Sequence, residues 1–280
     1  MQYNFHMHST FSDGACAPEE YVKQALEFGF KGLGFSEHSV LPFANTFALQ
    51  QGREEEYVHE ISRLKLFYTD RIKLYTALEV DYIPGISTGF SGLKEKMGLD
   101  YLIGSVHLVK GPPEAENLWF IDGPKVETYD NGINEVFKGD IRLAVTAYWQ
   151  QVYEMIELEK FDVVGHLDKI KMHNKGRWFD EKSEWYIALA DHAIELIAQK
   201  DLLVEVNTRG IYKKRSAGLF PGTDILKKLH SNHVRIILSS DAHHPSELNA
   251  YFNEAINILK ECGYASVWIF DDSSWKEVAI

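Results

Sequence analysis

Six of the chain's twelve histidines close short apolar runs that read as β-strands, and a carboxylate shares three of those ends. In the first run, Tyr3-Asn4-Phe5-His6-Met7-His8, the period of two projects His6 and His8 to one side of a strand, where a pair of imidazoles can grip one cation. The other five ends follow in chain order. The run 32–37 leads into His38, 72–78 into Glu79 and Asp81, and 101–106 into His107. The run 163–165 leads into His166 and Asp168, and 234–238, through Ser239 and Ser240, into Asp241 and His243. Helical patterns separate these runs, so each polar terminus belongs to its own β/α unit. A closed parallel barrel gathers the carboxyl ends of its strands at one rim, where such folds keep their chemistry. The pattern therefore predicts an α/β barrel with a metal centre at that rim.

Length and composition agree with this class. Such a barrel takes about 250 residues, so 280 residues leave room for one domain over 1–280, and 45% apolar residues supply its core. The 29 basic and 41 acidic side chains give a formal charge of −12, ill suited to tracking a phosphate polymer, although Lys213-Lys214-Arg215 is a local basic patch. The expected partner is a small molecule, with neither nucleic acid nor membrane, and the oligomeric state stays open. Cys16 and Cys262 are too few for a disulfide framework or a thiolate metal site. No basic segment followed by a long apolar run opens the chain, and no apolar stretch nears the roughly 20 residues of a membrane span. A cytoplasmic location is expected.

Seven β/α units can be counted. Pro18-Glu19-Glu20 opens a helix to about Gly29, with proline and carboxylates suited to the free amides and dipole of a first turn. Further helices are predicted over 53–68, near Leu93, and over 141–159, 180–200, 223–231 and 245–262. The sixth strand is 202–207, and 267–270 reads as a further short strand. The segment 110–139 is rich in glycine, proline and acidic residues but carries Trp119, Phe120, Tyr129 and Phe137. It exceeds an ordinary connection and is read as a long loop insertion covering the rim; the other reading is a mobile surface insertion. Trp119 and Phe120 belong either to that lid or to the core.

Nitrogen and oxygen donors without thiolate suit zinc, manganese or iron. A carboxylate such as Glu79 or Asp241 can bridge two cations; water held between them is acidified, and the same charges neutralise a phosphoryl group. This favours phosphoester hydrolysis. His59, His173, His192, His230 and His233 fall on helices, in a loop or just before a strand and are expected to be solvated. His244 adjoins the cluster as a candidate proton donor. Asp81 and Asp168 either orient neighbouring ligands or act as caps and loop ion pairs.

These motifs resemble those of the polymerase and histidinol phosphatase (PHP) superfamily. His6-Met7-His8 with Asp13 is similar to its first motif, Ser36-Glu37-His38 to its second, Ser105-Val106-His107 to its third and Ser240-Asp241-Ala242-His243 to its fourth. Leu78-Glu79-Val80-Asp81 and Gly165-His166-Leu167-Asp168 stand where the family places its bridging glutamate and a further histidine. Chain length, the second of these motifs and Glu205-Val206-Asn207-Thr208-Arg209 point to the histidinol-phosphate phosphatase branch.

The resemblance implies a distorted (β/α)7 TIM-like barrel with three divalent metal ions. It assigns His6, His8, Glu79 and Asp241 to the first metal, Glu79, His107 and His166 to the second, and Asp13, His38 and His243 to the third. Family members often carry histidine where this chain has Asp13. The implied nucleophile is a metal-bound hydroxide held by Glu79, Asp241, His107 and His166. Arg209, just past the sixth strand, can take a phosphate oxygen with its planar fork. Related phosphatases place another arginine after the motif at 165–168; here Lys171 and Arg177 are the candidates for that role. The implied activity is hydrolysis of L-histidinol phosphate to L-histidinol and phosphate in histidine biosynthesis. The alternative is a PHP-type phosphoesterase acting on nucleotides or nucleic acid. An amidohydrolase-type metal enzyme fits Asp13, His38 and Glu79 less well. A barrel that keeps metals only for stability is disfavoured by the intact set of ligand positions.

Overall fold

The apolar runs pair side by side in one direction, because helices outside and packed side chains inside bury both faces of each strand. The computed structural model describes residues 2–115 and 117–280. Its first half holds β1 (Tyr3–Asn4), α1 (Pro18–Glu27), β2 (Gly32–His38), α2 (Glu54–Phe67), β3 (Lys73–Asp81), α3 (Phe90–Met97), β4 (Tyr101–Ser105), β5 (Leu108–Lys110), β6 (Leu118–Phe120) and α4 (Val126–Phe137). The second half holds α5 (Ile141–Leu158), β7 (Val163–Val164), α6 (Glu184–Gln199), β8 (Leu203–Asn207), α7 (Arg209–Tyr212), α8 (Thr223–Ser231), β9 (Ile236–Ser239), α9 (Phe252–Glu261), β10 (Ser266–Asp271) and β11 (Ser274–Ala279). Among the described residues no helix is long and apolar enough to cross a membrane.

Seven parallel strands form one sheet in the order β1-β2-β3-β4-β7-β8-β9. Its two edges come together where His8 N donates to Ala242 O at 2.9 Å and Ala242 N to His6 O at 3.3 Å. The predicted distorted (β/α)7 barrel is thus nearly closed, and the closure sets the first and last histidine motifs side by side. Register does the same for their neighbours: His38 pairs with Glu79 across β2 and β3, and Asp81 with Ser105 across β3 and β4.

The helices follow their sequence signals closely. Helix α1 begins at Pro18 with Glu19 and Glu20 in its first turn and buries Tyr21, Val22 and Ala25. Asp140 caps α5 by accepting from Leu143 N at 3.0 Å, a contact worth about 1 kcal/mol. The last helix is shorter than predicted. Residues Pro245–Glu247 form a single 3-10 turn, and α9 starts only after Tyr251 adopts a left-handed φ of 65°.

The segment 110–139 differs from its expectation as an irregular loop. Strands β5 and β6 form an antiparallel hairpin, and α4 buries Tyr129, Ile133, Val136 and Phe137. Trp119 is fully buried and donates from Nε1 to Tyr129 O at 3.0 Å. A Cβ at Gly132 would lie 2.0 Å from the Trp119 ring, so the bare backbone there lets the indole seat against the helix. These aromatic side chains build core, while Phe120, Asp122, Gly123 and Pro124 reach the rim.

The other end of the barrel is closed by the C-terminal hairpin. The predicted short strand becomes β10 and pairs with β11, whose mostly exposed residues carry no apolar run to announce it. Phe270 and Trp275 pack on Phe5, Tyr75 and Tyr101 with ring centroids 5.1–5.7 Å apart.

Candidate metal centre

Glu79 sits at the middle of the rim with its two oxygens facing different imidazoles. Oε1 lies 2.8 Å from His166 Nε2 and 3.5 Å from His107 Nε2, and accepts from Ser105 Oγ at 2.7 Å. Oε2 lies 3.0 Å from His38 Nδ1, 3.2 Å from His6 Nε2 and 3.5 Å from His8 Nε2. Asp241 faces the same pair from the far edge of the sheet, 3.4 Å from His8 and 3.9 Å from His6. Its φ of 52° is left-handed, a conformation that aspartate tolerates better than most residues. On the open side, Asp13 Oδ1 lies 3.1 Å from His243 Nε2 and 3.7 Å from His38 Nε2. All nine residues expected to hold metal are brought together. Sharing between groups is greater than expected, since His8 stacks on His38 at 4.2 Å and lies 4.4 Å from His243.

Buried acids behind these side chains fix their orientation. Glu205 Oε1 accepts from His6 Nδ1 at 2.5 Å, and Oε2 accepts from His166 N at 2.8 Å. When a cation replaces the second proton, the other ring nitrogen of His6 can present its lone pair to the centre. Glu37 accepts from Ser9 N at 3.0 Å, Ser9 Oγ at 2.6 Å and Ser12 Oγ, which ties down the loop carrying Asp13. A Cβ at Gly14 would come within 2.0 Å of His8 O, so that loop folds back tightly only with glycine. Asp81 Oδ1 accepts from His107 N at 2.8 Å. Asp168 instead pairs with Lys171, away from the cluster. The period of two placing Glu205 and Asn207 on one face of β8 was the available signal for Glu205; Asp122 carried none.

Charges at the centre are strongly coupled. Burial alone would lower His6, yet Glu205, Glu79 and Asp241 hold it well above its ordinary range. Burial, reinforced by His38 and His243, pushes His8 well below it. For His107 burial is outweighed by Asp122, Glu79 and Asp81, which raise it to about 10. Burial opposes ionisation of Glu79, but His6, His107 and His38 keep it well below the usual carboxylate range; His6 and Arg209 do the same for Asp241. Imidazole protons and divalent cations are alternative ways to neutralise the same carboxylates.

The donors fit divalent cations. His6 Nε2 and His8 Nε2 are 3.1 Å apart, as are His107 Nε2 and His166 Nε2. Two lone pairs at that distance need a proton or a cation between them. Three sets of donor atoms, each converging within 4.8 Å, involve His8, Asp13, His38 and His243; His6, His8 and Asp241; and His38, Glu79 and His107. Nitrogen and carboxylate oxygen without sulfur suit zinc, manganese or iron.

A basin of about 280 Å³ opens over this centre, lined by Lys169, Arg209 and Arg215 and walled by Phe47, Phe120 and Asp122. Arg209 reaches it as predicted, with Nη1 donating to Asp241 O at 2.7 Å. Lys171 and Arg177 do not. Lys171 Nζ donates to Asp168 at 2.6 Å, and Arg177 forks onto Asp130 at 2.7 and 2.8 Å. From that turn it is Lys169 that enters the basin, 3.3 Å from Asp122 and 3.7 Å from Asp241. Residues 169–171 form a 3-10 turn, in which positions two apart differ by about 240° around the axis, so the two lysines diverge. His244 is exposed, bonded to Ser246, and does not line the basin.

Comparison with known proteins gives concordant matches. The family model described as the PHP domain matches residues 4–209. A Deinococcus radiodurans protein named probable histidinol-phosphatase is 26% identical over 94% of this chain and 94% of its own length. The Bacillus subtilis protein named histidinol-phosphatase is 26% identical over 87% of this chain and 92% of its own. Among solved structures, a provisionally named histidinol phosphatase of Listeria monocytogenes superposes with a TM-score of 0.78 at 22% identity, covering 90% of this chain and 99% of that one. The histidinol phosphate phosphatase of Lactococcus lactis, solved with zinc, L-histidinol and phosphate, superposes with a TM-score of 0.70 at 20% identity over 98% of both chains.

Proposed function

The chain belongs to the PHP domain family, and from that premise we propose that it is a metal-dependent phosphatase hydrolysing L-histidinol phosphate to L-histidinol and phosphate in histidine biosynthesis. The observation that carries this reading is the Glu79 carboxylate, with one oxygen toward His107 and His166 and the other toward His6, His8 and His38, under a basin lined by three basic side chains.

Three divalent cations would be held by His6, His8, Glu79 and Asp241, by Glu79, His107 and His166, and by Asp13, His38 and His243. Zinc is the first choice, and manganese or iron share the donor preference. Bound there, such cations supply Lewis acidity toward phosphoryl oxygens and an acidified water. The chain's own residues complete the site. Lys169, Arg209 and Arg215 take the non-bridging oxygens of the phosphate. Arg209 is held for this by Asp241 O and by Glu247 at 3.8 Å. Asp122 offers a carboxylate to the ammonium of the substrate, and the stacked Phe47 and Phe120 rings, 5.4 Å apart, offer an apolar face to its imidazole.

A screen of phosphate monoesters with purified protein at defined metal content tests the reading. Histidinol phosphate is expected to exceed nucleotides in kcat/KM by about 10²-fold or more, because buried polar groups left unpaired by the wrong substrate are costly. Preference for a nucleotide or a nucleic-acid end would replace it with the broader phosphoesterase reading. Activity that survives thorough chelation would end the metal-dependent one.

A further inference from the structure

Two residues that do not line the basin join its wall to the segment that follows β7. His173, expected from the sequence to be solvated, is only 6% exposed, and its Nε2 donates to Gly123 O at 2.8 Å. Burial holds the ring below its ordinary range, so it serves as a neutral donor. Arg177, besides its fork onto Asp130 of α4, donates from Nη2 to His173 O at 2.7 Å. Trp178 Nε1 donates to the same Asp130 carboxylate at 2.9 Å. The segments 121–130 and 169–178 are thus clasped together, and Arg177 braces the residue that bonds Gly123.

Chain neighbours decide what the clasp holds. Gly123 directly follows Asp122, and on the other side Ile121 N donates to His107 O at 3.0 Å. Asp122 therefore rides on a short stretch of backbone tied down at both ends, with its carboxylate on the basin wall. Lys169, which faces it at 3.3 Å, is anchored by other means. Tyr129 Oη donates to the adjoining Ile170 O at 2.9 Å, and the ammonium lies 5.5 Å from the Phe220 centroid and 3.7 Å from Asp241. The spacing of the acid and the lysine is the joint outcome of two anchors, and the His173 anchor bears on the acid.

We propose that His173 and Arg177 are positioning residues that set substrate selectivity: by fixing Asp122 through Gly123, they favour phosphate monoesters that carry an amino group at short reach from the ester oxygen. The inference rests on the reading of the basin in which Asp122 takes an ammonium and Lys169 a phosphate oxygen. A substrate bearing both groups is then selected by the distance between its two partners, and that selection is only as sharp as the placement of the carboxylate. With the clasp loosened, Asp122 no longer meets the ammonium at a fixed place. An ester without an amino group has no such contact to lose.

The test measures kcat/KM of the metal-loaded full chain for histidinol phosphate and for the same ester lacking its amino group, with metal content determined by elemental analysis. The parent is expected to prefer the amine-bearing ester by about 30-fold. His173→Leu removes the donor and should shrink that ratio about tenfold. His173→Gln, which offers an amide N–H in place of Nε2, should return it to within about twofold of the parent. Arg177→Asp, at a part-exposed position that tolerates change if His173→Leu fails to fold, sets like charges against Asp130 and should shrink the ratio about fivefold. In each variant metal content and kcat/KM for the amine-free ester should stay within about twofold of the parent. The proposal is overturned if the ratio is unchanged in the folded variants, or if both esters lose activity together, as a merely structural role would require. A parent without preference for the amine-bearing ester would instead remove the reading of Asp122, and this proposal with it.

Discussion

The two ends of the barrel are made by the same strands and have opposite characters. At the amino ends Phe5, Tyr75, Tyr101, Phe270 and Trp275 interlock, and the Tyr101 hydroxyl donates to Phe5 O at 2.6 Å. At the carboxyl ends His6, His8, Glu79, His107, His166 and Asp241 are at least as deeply buried, yet all are ionisable. Buried apolar contact holds one end closed, while the other crowds charges that stay together only through mutual neutralisation. The contrast teaches that the chemistry is confined to one end of each strand, so that changes at the apolar end should cost stability and spare activity.

The strongest challenge to this division is Glu79→Gln, which keeps shape and removes the shared charge. It should lower kcat/KM of the folded fraction by about 10³-fold, and it should also lower the urea midpoint of the metal-free chain, since His6, His38 and His107 lose their shared counter-charge; near-parental activity in the folded fraction would erase the contrast. At the opposite end Phe270→Ala should cost about 3 kcal/mol in urea unfolding while steady-state kinetics of the folded fraction stay within about twofold of the parent. Next is a test within the rim. Lys169→Met should reduce kcat/KM about 10²-fold, whereas Lys171→Met should leave it within about threefold, and equal effects would place both lysines on the phosphate.

The smallest effect is on the pH axis. Asp122, Glu79 and Asp81 outweigh burial and raise His107 to about 10, so its proton stabilises the metal-free chain. That contribution is full below the unfolded value of about 6.5 and is lost as pH rises through about 10. Thermal melts of the metal-free chain should therefore fall across this window. Melts with saturating zinc should not, since ligand nitrogens bind metal only when unprotonated. Parallel slopes with and without zinc would show that His107 does not couple to the metal.

How much could be read in advance depended on how local the cause is. Histidines at the ends of apolar runs were legible because strand period and strand end are written within about six residues, and a parallel barrel has one rim for all of them. Helix α4 was not legible. Its glycine, Gly132, reads as a breaker by propensity and is explained only by the Trp119 ring packed against it. Asp122 stood in the same misread segment. Lys169 and Lys171 are equivalent in composition, and only the turn between β7 and α6 sends one into the basin and the other behind it.

The amino-acid sequence by itself determined the strands of the barrel, their common direction and the set of nitrogen and oxygen donors at their ends, because alternation and β/α spacing act over short stretches of chain. Tertiary structure alone decided which oxygen of Glu79 meets which imidazole, that Glu205 accepts a hydrogen bond from His6, and which lysine faces the basin. Those outcomes rest on the register of β2 to β4 and on the closure at Met7 and Ala242. Both join residues far apart in the chain, where no local period carries information about the partner.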